Sequence, residues 1–390
     1  MVLSSDKLIQ IRRHLHQIPE LAMNEFQTSD YLRQVINSFS QQYLEIGSIP
    51  DLPTAILVRV NGSNPKRNIG YRCDMDALPV DENNGLSYAS KNPHVMHACG
   101  HDIHMTVALG ILNYFSEHQP SDNLIFFFQP AEESESGGKV AFDKDAFSGR
   151  FHVDEFYGLH DNAQLPAGVI GCRNGTLFAG TTEVNIIITG KSGHAAYPHL
   201  ANDSIVIAAS FIQQVQTIVS RNIAPTKCGV ITFGKIDGGV IRNVIAGTTR
   251  LEGTIRGLTQ TMIEFIRQRI TEIASGLQKS FNCQITVEFN QGGYFPVENN
   301  PQLTKRFINF MKENPEVTFQ ETEPKMTGED FGYLLNKIPG TMFWLGVDSP
   351  GALHSADFLP KESAIAKGIV AMTSFLEYRM NLEDEKCSKM

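Results

Sequence analysis

Eight consecutive residues, His97-Ala98-Cys99-Gly100-His101-Asp102-Ile103-His104, hold three His, one Cys and one Asp. Imidazole and thiolate donors together suit zinc, manganese or cobalt. Cys99 and His101 stand two apart, so a loop or extended backbone turns both toward one ion. The competing interpretation is a turn whose histidines cap the helix that follows. A second group, Gln129-Pro130-Ala131-Glu132-Glu133, offers adjacent carboxylates. One can ligate a metal while the other takes a proton from an activated water. Against this stands a solvated acidic turn, with Glu135 close by in the chain. In Arg72-Cys73-Asp74-Met75-Asp76-Ala77-Leu78-Pro79 the carboxylates of Asp74 and Asp76 could orient metal ligands, or simply form an Asx turn before Pro79. His160, in Gly158-Leu159-His160-Asp161, and His354, in Ala352-Leu353-His354-Ser355, are single histidines of the kind that usually serve structure.

Three further stretches carry weaker signals. Residues 190–199, GKSGHAAYPH, lie between a predicted strand and a predicted helix but lack the Walker spacing. His194 there could stabilise an oxyanion or cap the helix. Asn243, in a glycine-rich link, could donate its amide to a substrate carboxylate or occupy a turn. Thr327-Gly328-Glu329-Asp330 has the form of a helix start with Thr327 as the N-cap.

The elements that must carry these residues follow from periodicity. Apolar residues at 8, 11, 15 and 18 predict a helix that Pro19 stops. Ile56–Val60 and Ile69–Cys73 read as strands, Met105–Phe115 as an amphipathic helix, and the all-apolar run Leu124–Phe128 as a strand buried on both faces. That order predicts an α/β domain with a largely parallel sheet. Carboxylates and histidines then fall after predicted strands, where open α/β sheets bind ligands. Five such segments, each with a Cys, His, Asp or Glu, would converge on one rim. This shared placement favours a site over scattered structural residues.

From about 180 the pattern becomes β-α-β-β-α-β: strands 184–189, 228–235, 248–256 and 284–289, with helices 201–220 and 261–280. This is the split βαβ, or ferredoxin-like, arrangement. The expected fold is a larger α/β catalytic domain formed by residues 1–178 and 292–390, with a ferredoxin-like lid and dimerisation domain, 179–291, inserted between them. In the second part, helices are expected over 302–313, from 328 to 335 and over 363–379, with a strand at 341–347. The polar tail after Met380 is expected to fray.

The composition excludes several classes. The chain has 390 residues, 42% hydrophobic and 19% charged, which is ordinary globular usage rather than disorder, coiled coil or collagen. A net charge of −9 argues against binding nucleic acid through its phosphates. No apolar run approaches a membrane span, and the opening residues turn charged within six positions, unlike a secretory leader. Six scattered cysteines without a CxxC suit a reducing compartment, so a cytoplasmic chain is expected.

Taken together, RRHLHQIPEL (12–21), DMDALP (74–79), HACGHDIHM (97–105), FQPAEE (128–133), GLH (158–160), GHAAYPH (193–199) and LHSADF (353–358) resemble the amidohydrolase branch of the aminoacylase/carboxypeptidase family of dinuclear metallohydrolases. The resemblance runs through nearly all of the chain, with motif order and spacing kept. It implies two divalent ions, manganese or zinc with cobalt as a further choice, on Cys99, His101, Glu133, His160 and His354, with Cys99 bridging. In most of the wider family an Asp bridges and a His stands at the place of Asp74; the branch carries Cys and Asp there, as this chain does. Asp76, with Asp74 sharing the role, matches the aspartate that supports the ligands, and Glu132 the general base, although adjacency leaves Glu132 and Glu133 interchangeable by sequence. The implied reaction is hydrolysis of the amide of a small N-acyl amino acid, with His194 and Asn243 toward the substrate and a homodimer formed through the small domain. Two rivals are a catalytically silent binding protein of the same fold and a thiol enzyme with Cys99 as nucleophile and His101 as base.

Overall fold

The apolar run 124–128 lies in strand Asn123–Gln129, every residue of which is buried. This strand sits inside an eight-stranded sheet of a computed structural model that describes residues 2–134 and 136–382. Strand Asn68–Asp74 runs parallel to it on one side, followed by Glu155–Asn162 and Gly340–Gly346, all parallel to one another. On its other side Leu52–Val60 and then Leu44–Ile49 pair antiparallel. Strand Val169–Cys172 meets Gly340–Gly346 antiparallel and carries Thr318–Glu321 in parallel. The sheet is therefore mixed rather than largely parallel. The strands around 56–60 and 69–73, joined by a single turn in sequence, are separated in the sheet by 123–129.

Helix Ser5–Gln17 starts where Ser4 accepts a hydrogen bond from the Lys7 amide, and it buries Leu8, Ile11 and Leu15. The next long helix corrects the sequence expectation. It begins at His101, four residues before the predicted start, and buries residues on every side. It packs against the sheet as well as against helices Ser5–Gln17 and Ser363–Asn381, so it has no solvent face to be amphipathic toward. Gly100 supplies its entry in the left-handed region, φ +85°, where an added Cβ would lie 2.1 Å from an oxygen of Asp161. Helix Phe26–Asn37, which the periodicity did not show, covers strand Leu52–Val60.

The chain divides into two compact units. One comprises residues 1–177, 297–323 and 333–390; the other comprises 178–296 and 324–332. The second unit thus takes in residues 324–332, which the sequence had placed with the larger domain. The cause is local: the Ala179 amide donates to the Lys325 carbonyl at 2.9 Å, and Phe178 bridges Lys325 in parallel register. Its antiparallel sheet has the order Gly229–Gly238, Thr248–Gly257, Gly180–Thr189, Gln284–Asn290. Val184, Ile186, Ile188, Leu251 and Ile255 pack against Phe211 and Val215 of helix Ser204–Thr217 and against Ile266 and Ile270 of helix Gln260–Phe281. The expected helix start at Thr327 is not observed. Helix Phe331–Lys337 begins three residues after Gly328, and Glu329 rather than Thr327 accepts from the Phe331 amide, at 3.0 Å. Among the described residues no helix is long and apolar enough to cross a membrane. The tail from 383, including Cys387, lies outside the described residues.

Candidate metal centre

Parallel strands present their C-terminal ends on one rim of a sheet, and in the larger unit those ends bear the candidate residues. Asp74 ends strand Asn68–Asp74, and Glu132 and Glu133 follow strand Asn123–Gln129. His354 follows strand Gly340–Gly346. His160 lies inside strand Glu155–Asn162 rather than in a loop after it, because that strand pairs with its neighbour as far as Asn162.

Two of the close groups of donor atoms share one residue. Cys99, His101 and His160 place one ligand atom each within 4.8 Å of one another, and so do Cys99, Glu133 and His354. Cys99 belongs to both. Its Sγ lies 3.5 Å from His160 Nε2 and 3.3 Å from His354 Nε2. Glu133 Oε1 lies 3.4 Å from His354 Nε2 and 3.8 Å from His101 Nε2.

Two of the three histidines, His101 and His160, are turned by their other nitrogen. His101 Nδ1 lies 2.8 Å from the Asp76 carbonyl, and His160 Nδ1 lies 2.9 Å from the Asp161 carbonyl. A proton on each Nδ1 leaves the Nε2 lone pair for a cation. His354 has a left-handed backbone, φ 64°, and its amide donates to the Ala98 carbonyl at 2.8 Å. That conformation costs a β-carbon residue roughly 1–3 kcal/mol, which the surrounding contacts offset.

Around the donors stands a buried layer of charge. Arg72 donates to Asp74 at 2.8 Å and to Gln129 at 3.0 Å, and Asp74 also meets His104 Nδ1 in a short contact. Asp76 accepts from the Glu133 amide at 2.9 Å, so this one residue orients His101 through its carbonyl and Glu133 through its carboxylate. Asp102 is held by Arg12 Nε at 2.9 Å and His16 Nδ1 at 2.7 Å. Burial opposes its charge, but Arg12 and His16 prevail and keep the carboxyl well below the usual range.

The donor set fits cations on evidence internal to the structure. Among the described residues, neither His101 Nε2 nor Glu133 Oε1, both buried, has a partner of hydrogen-bonding geometry, and the two lie 3.8 Å apart. Such orphaned atoms are costly unless something binds between them. Protonation tells the same story. Burial disfavours charge on His101, yet Asp74, Asp76 and Glu133 outweigh it and push its pKa up to about 10. A cation relieves the same excess of negative charge.

Electrostatics also bear on the thiol-enzyme rival. Burial, with Glu133, Glu132 and Asp74, pushes the Cys99 thiol well up. A cysteine nucleophile needs the opposite shift, whereas a metal would draw the proton off outright.

In the smaller unit, His194 and Asn243 come together. Gly193–His194 pairs with Val244–Ile245, and the Ala195 amide donates to the Asn243 carbonyl at 3.1 Å. Both residues are exposed. His194 Nδ1 accepts from the Ala196 amide at 3.1 Å, which puts its proton on Nε2 as a donor.

Periodicity and motif spacing gave Arg72 and His104 no role of their own. His104 carried a signal, since it stands three residues after His101 on one helix face. Arg72 carried one too, as a charged residue inside an apolar strand.

The chain matches the model of Peptidase family M20/M25/M40 over residues 70–378. The protein belongs to this family. N-acetyldiaminopimelate deacetylase of Limosilactobacillus reuteri is 66% identical over 379 residues, spanning 97% of this chain and 100% of that relative. The protein of the same description from Lactobacillus helveticus is 62% identical over 382 residues, 98% of this chain and 100% of the relative. Among solved structures, one from methicillin-resistant Staphylococcus aureus matches with a TM-score of 0.89 at 31% identity over 96% of each chain. A Bacillus subtilis protein described as a dinuclear metal-binding peptidase of the M20 family matches with a TM-score of 0.84 at 26% identity, covering 96% of this chain and 98% of the other.

Proposed function

We propose that this M20-family protein removes the acetyl group from N-acetyl-LL-2,6-diaminopimelate, giving acetate and LL-2,6-diaminopimelate, a step of bacterial lysine synthesis. One observation carries the chemistry: Cys99 is common to two separate three-residue donor groups, the arrangement a pair of ions with a shared thiolate requires. The substrate follows from 66% identity over the full length of a relative described as N-acetyldiaminopimelate deacetylase.

In this reading Cys99, His101 and His160 would hold one divalent ion, and Cys99, Glu133 and His354 the other, manganese or zinc. Bound there, such ions would supply positive charge for polarising the acyl carbonyl and acidifying water. The buried carboxylate of Glu132 accepts the proton of the attacking water and returns it to the leaving amine. Asp76 keeps His101 and Glu133 facing each other. On the smaller unit, Nε2–H of His194 and the Asn243 amide are the hydrogen-bond donors proposed for the substrate. The protein works in the cytoplasm as a homodimer through the smaller unit, where edge strand Gly229–Gly238 and exposed Val240 and Ile241 await cover.

Ligand protonation yields a measurable consequence. Without a cation, Cys99 and His101 both carry protons at neutral pH, the first raised by burial and carboxylates and the second up to about 10. Both must lose them to ligate. Filling the site at pH 7 therefore releases about two protons per chain, and metal affinity strengthens as pH rises. Titration calorimetry in buffers of different ionisation enthalpy reads the number; heats independent of buffer would contradict these ligands.

The activity test sets N-acetyl-LL-diaminopimelate beside hippurate, with manganese, zinc and cobalt each supplied after chelation. The acetylated substrate is expected to have the higher kcat/KM, with activity abolished by chelator and restored by metal. Preference for hippurate would place the protein with other N-acyl amino acid hydrolases of the family, and indifference to chelator would remove the metal mechanism.

A further inference from the structure

Glu25 stands at the N-cap of helix Phe26–Asn37, yet its side chain does not cap that helix. It is fully buried, an unusual position for a carboxylate that forms no ion pair with an arginine or lysine among the described contacts. Its Oε1 instead accepts two main-chain amides: that of Met23 at 3.0 Å and, 106 positions along the chain, that of Ala131 at 2.9 Å. Both donors belong to residues with left-handed backbones, Met23 at φ 62° and Ala131 at φ 54°. Neither is glycine, so each conformation is held only at a cost of roughly 1–3 kcal/mol.

Ala131 immediately precedes Glu132 and Glu133. Its carbonyl accepts from the Gly137 amide at 2.9 Å, which closes the turn. On the far side of Glu132, Asp76 accepts from the Glu133 amide at 2.9 Å. The backbone of Glu132 is thus bracketed by two carboxylates, Glu25 on one side and Asp76 on the other. The segment leading to Glu25 is itself tied to the same rim, for the Ala77 amide donates to the Glu20 carbonyl at 2.8 Å and Leu21 bridges Ala77. Burial lifts the Glu25 carboxyl to about 7, and in either protonation state it offers a carbonyl-type oxygen.

We infer that Glu25 is a positioning residue for the Glu132 turn: by accepting the Ala131 amide it fixes the strained backbone that aims the Glu132 carboxylate. The inference rests on the assignment of Glu132 as the general base. In this reading Glu25 acts through the backbone of the turn, by its bond to the Ala131 amide, and not on substrate or ion.

The test compares Glu25→Gln, Glu25→Asp and Glu25→Ala in the metal-loaded protein, reading kcat, KM, bound metal and thermal midpoint, with assays run well below that midpoint. Gln keeps an acceptor oxygen at the same reach, so at least about a third of the wild-type kcat is expected. Ala removes the acceptor, and a misaimed carboxylate lowers kcat by about thirty- to a hundredfold with KM within about threefold and metal content unchanged. Asp shortens the arm and should lose at least about tenfold in kcat, so the order Gln above Asp decides the matter even if the Ala variant does not fold. Equal kcat for Gln and Asp, loss of metal in the Asp or Ala variant, or a lowered midpoint with kcat unchanged would each overturn the inference. The wild type is assayed first: failure there strikes the proposed reaction, whereas an active wild type with indifferent variants strikes only the role of Glu25.

Discussion

Glu132→Gln is expected to keep its metal and to lose at least about a hundredfold in turnover, the scale on which a positioned acid–base group contributes. In the proposed mechanism the two carboxylates of the turn divide their work by direction. Glu133 Oε1 faces His354 Nε2 at 3.4 Å and His101 Nε2 at 3.8 Å, the position of a ligand. Glu132 is buried beside it and belongs with His101 and Glu133 to one close donor group, whereas Glu133 also belongs to the group of Cys99 and His354. Amide for carboxylate keeps the shape and one acceptor oxygen while abolishing proton transfer. Substrate binding should persist, so kcat falls and KM holds. Steady-state kinetics with metal analysis on the same preparation reads both. Full activity in this variant would remove Glu132 from the base role, and loss of metal would exchange it with Glu133.

Cys99→Ala carries the second large effect. Its sulfur is the donor common to both groups, 3.5 Å from His160 Nε2 and 3.3 Å from His354 Nε2. On the proposed assignment, its removal would leave two protein donors for each ion. Changes to residues that merely orient ligands already cost about 10–100-fold in metal affinity or activity, and loss of a shared donor should exceed that. Bound metal is expected to fall below two ions per chain and turnover to fall with it. Cys99→Asp, which restores an anionic bridge, should recover part of both. Unchanged metal content in the Ala variant would contradict the ligand assignment.

Much of this was legible in the sequence, for definite reasons. The buried run 124–128 could only be a central strand, and it brought Glu132 and Glu133 to the end of that strand. The β-α-β-β-α-β order of the smaller unit was written in alternation and helical spacing. Other features were not legible. Helix His101–Glu117 is buried on all sides, so the hydrophobic pattern could not show which face met the sheet, and its start depended on the left-handed Gly100 rather than on a capping side chain. The partners of residues 324–332 were settled by hydrogen bonds to Phe178 and Ala179, nearly 150 positions away in the chain. Glu25 gave no local signal, because the bond that ties it to the Glu132 turn reaches Ala131, 106 positions away in the chain. Local pattern reports which residues are buried; it does not report which buried polar group answers which.

The pairing of donors is tested most directly by anomalous diffraction from crystals of the zinc-loaded wild-type protein. Two peaks per chain are expected. One should lie at bonding distance, about 2.0–2.3 Å, from Cys99 Sγ, His101 Nε2 and His160 Nε2. The other should lie at that distance from Cys99 Sγ, Glu133 and His354 Nε2. A single peak, or a pair of peaks without the Cys99 sulfur between them, would contradict the account.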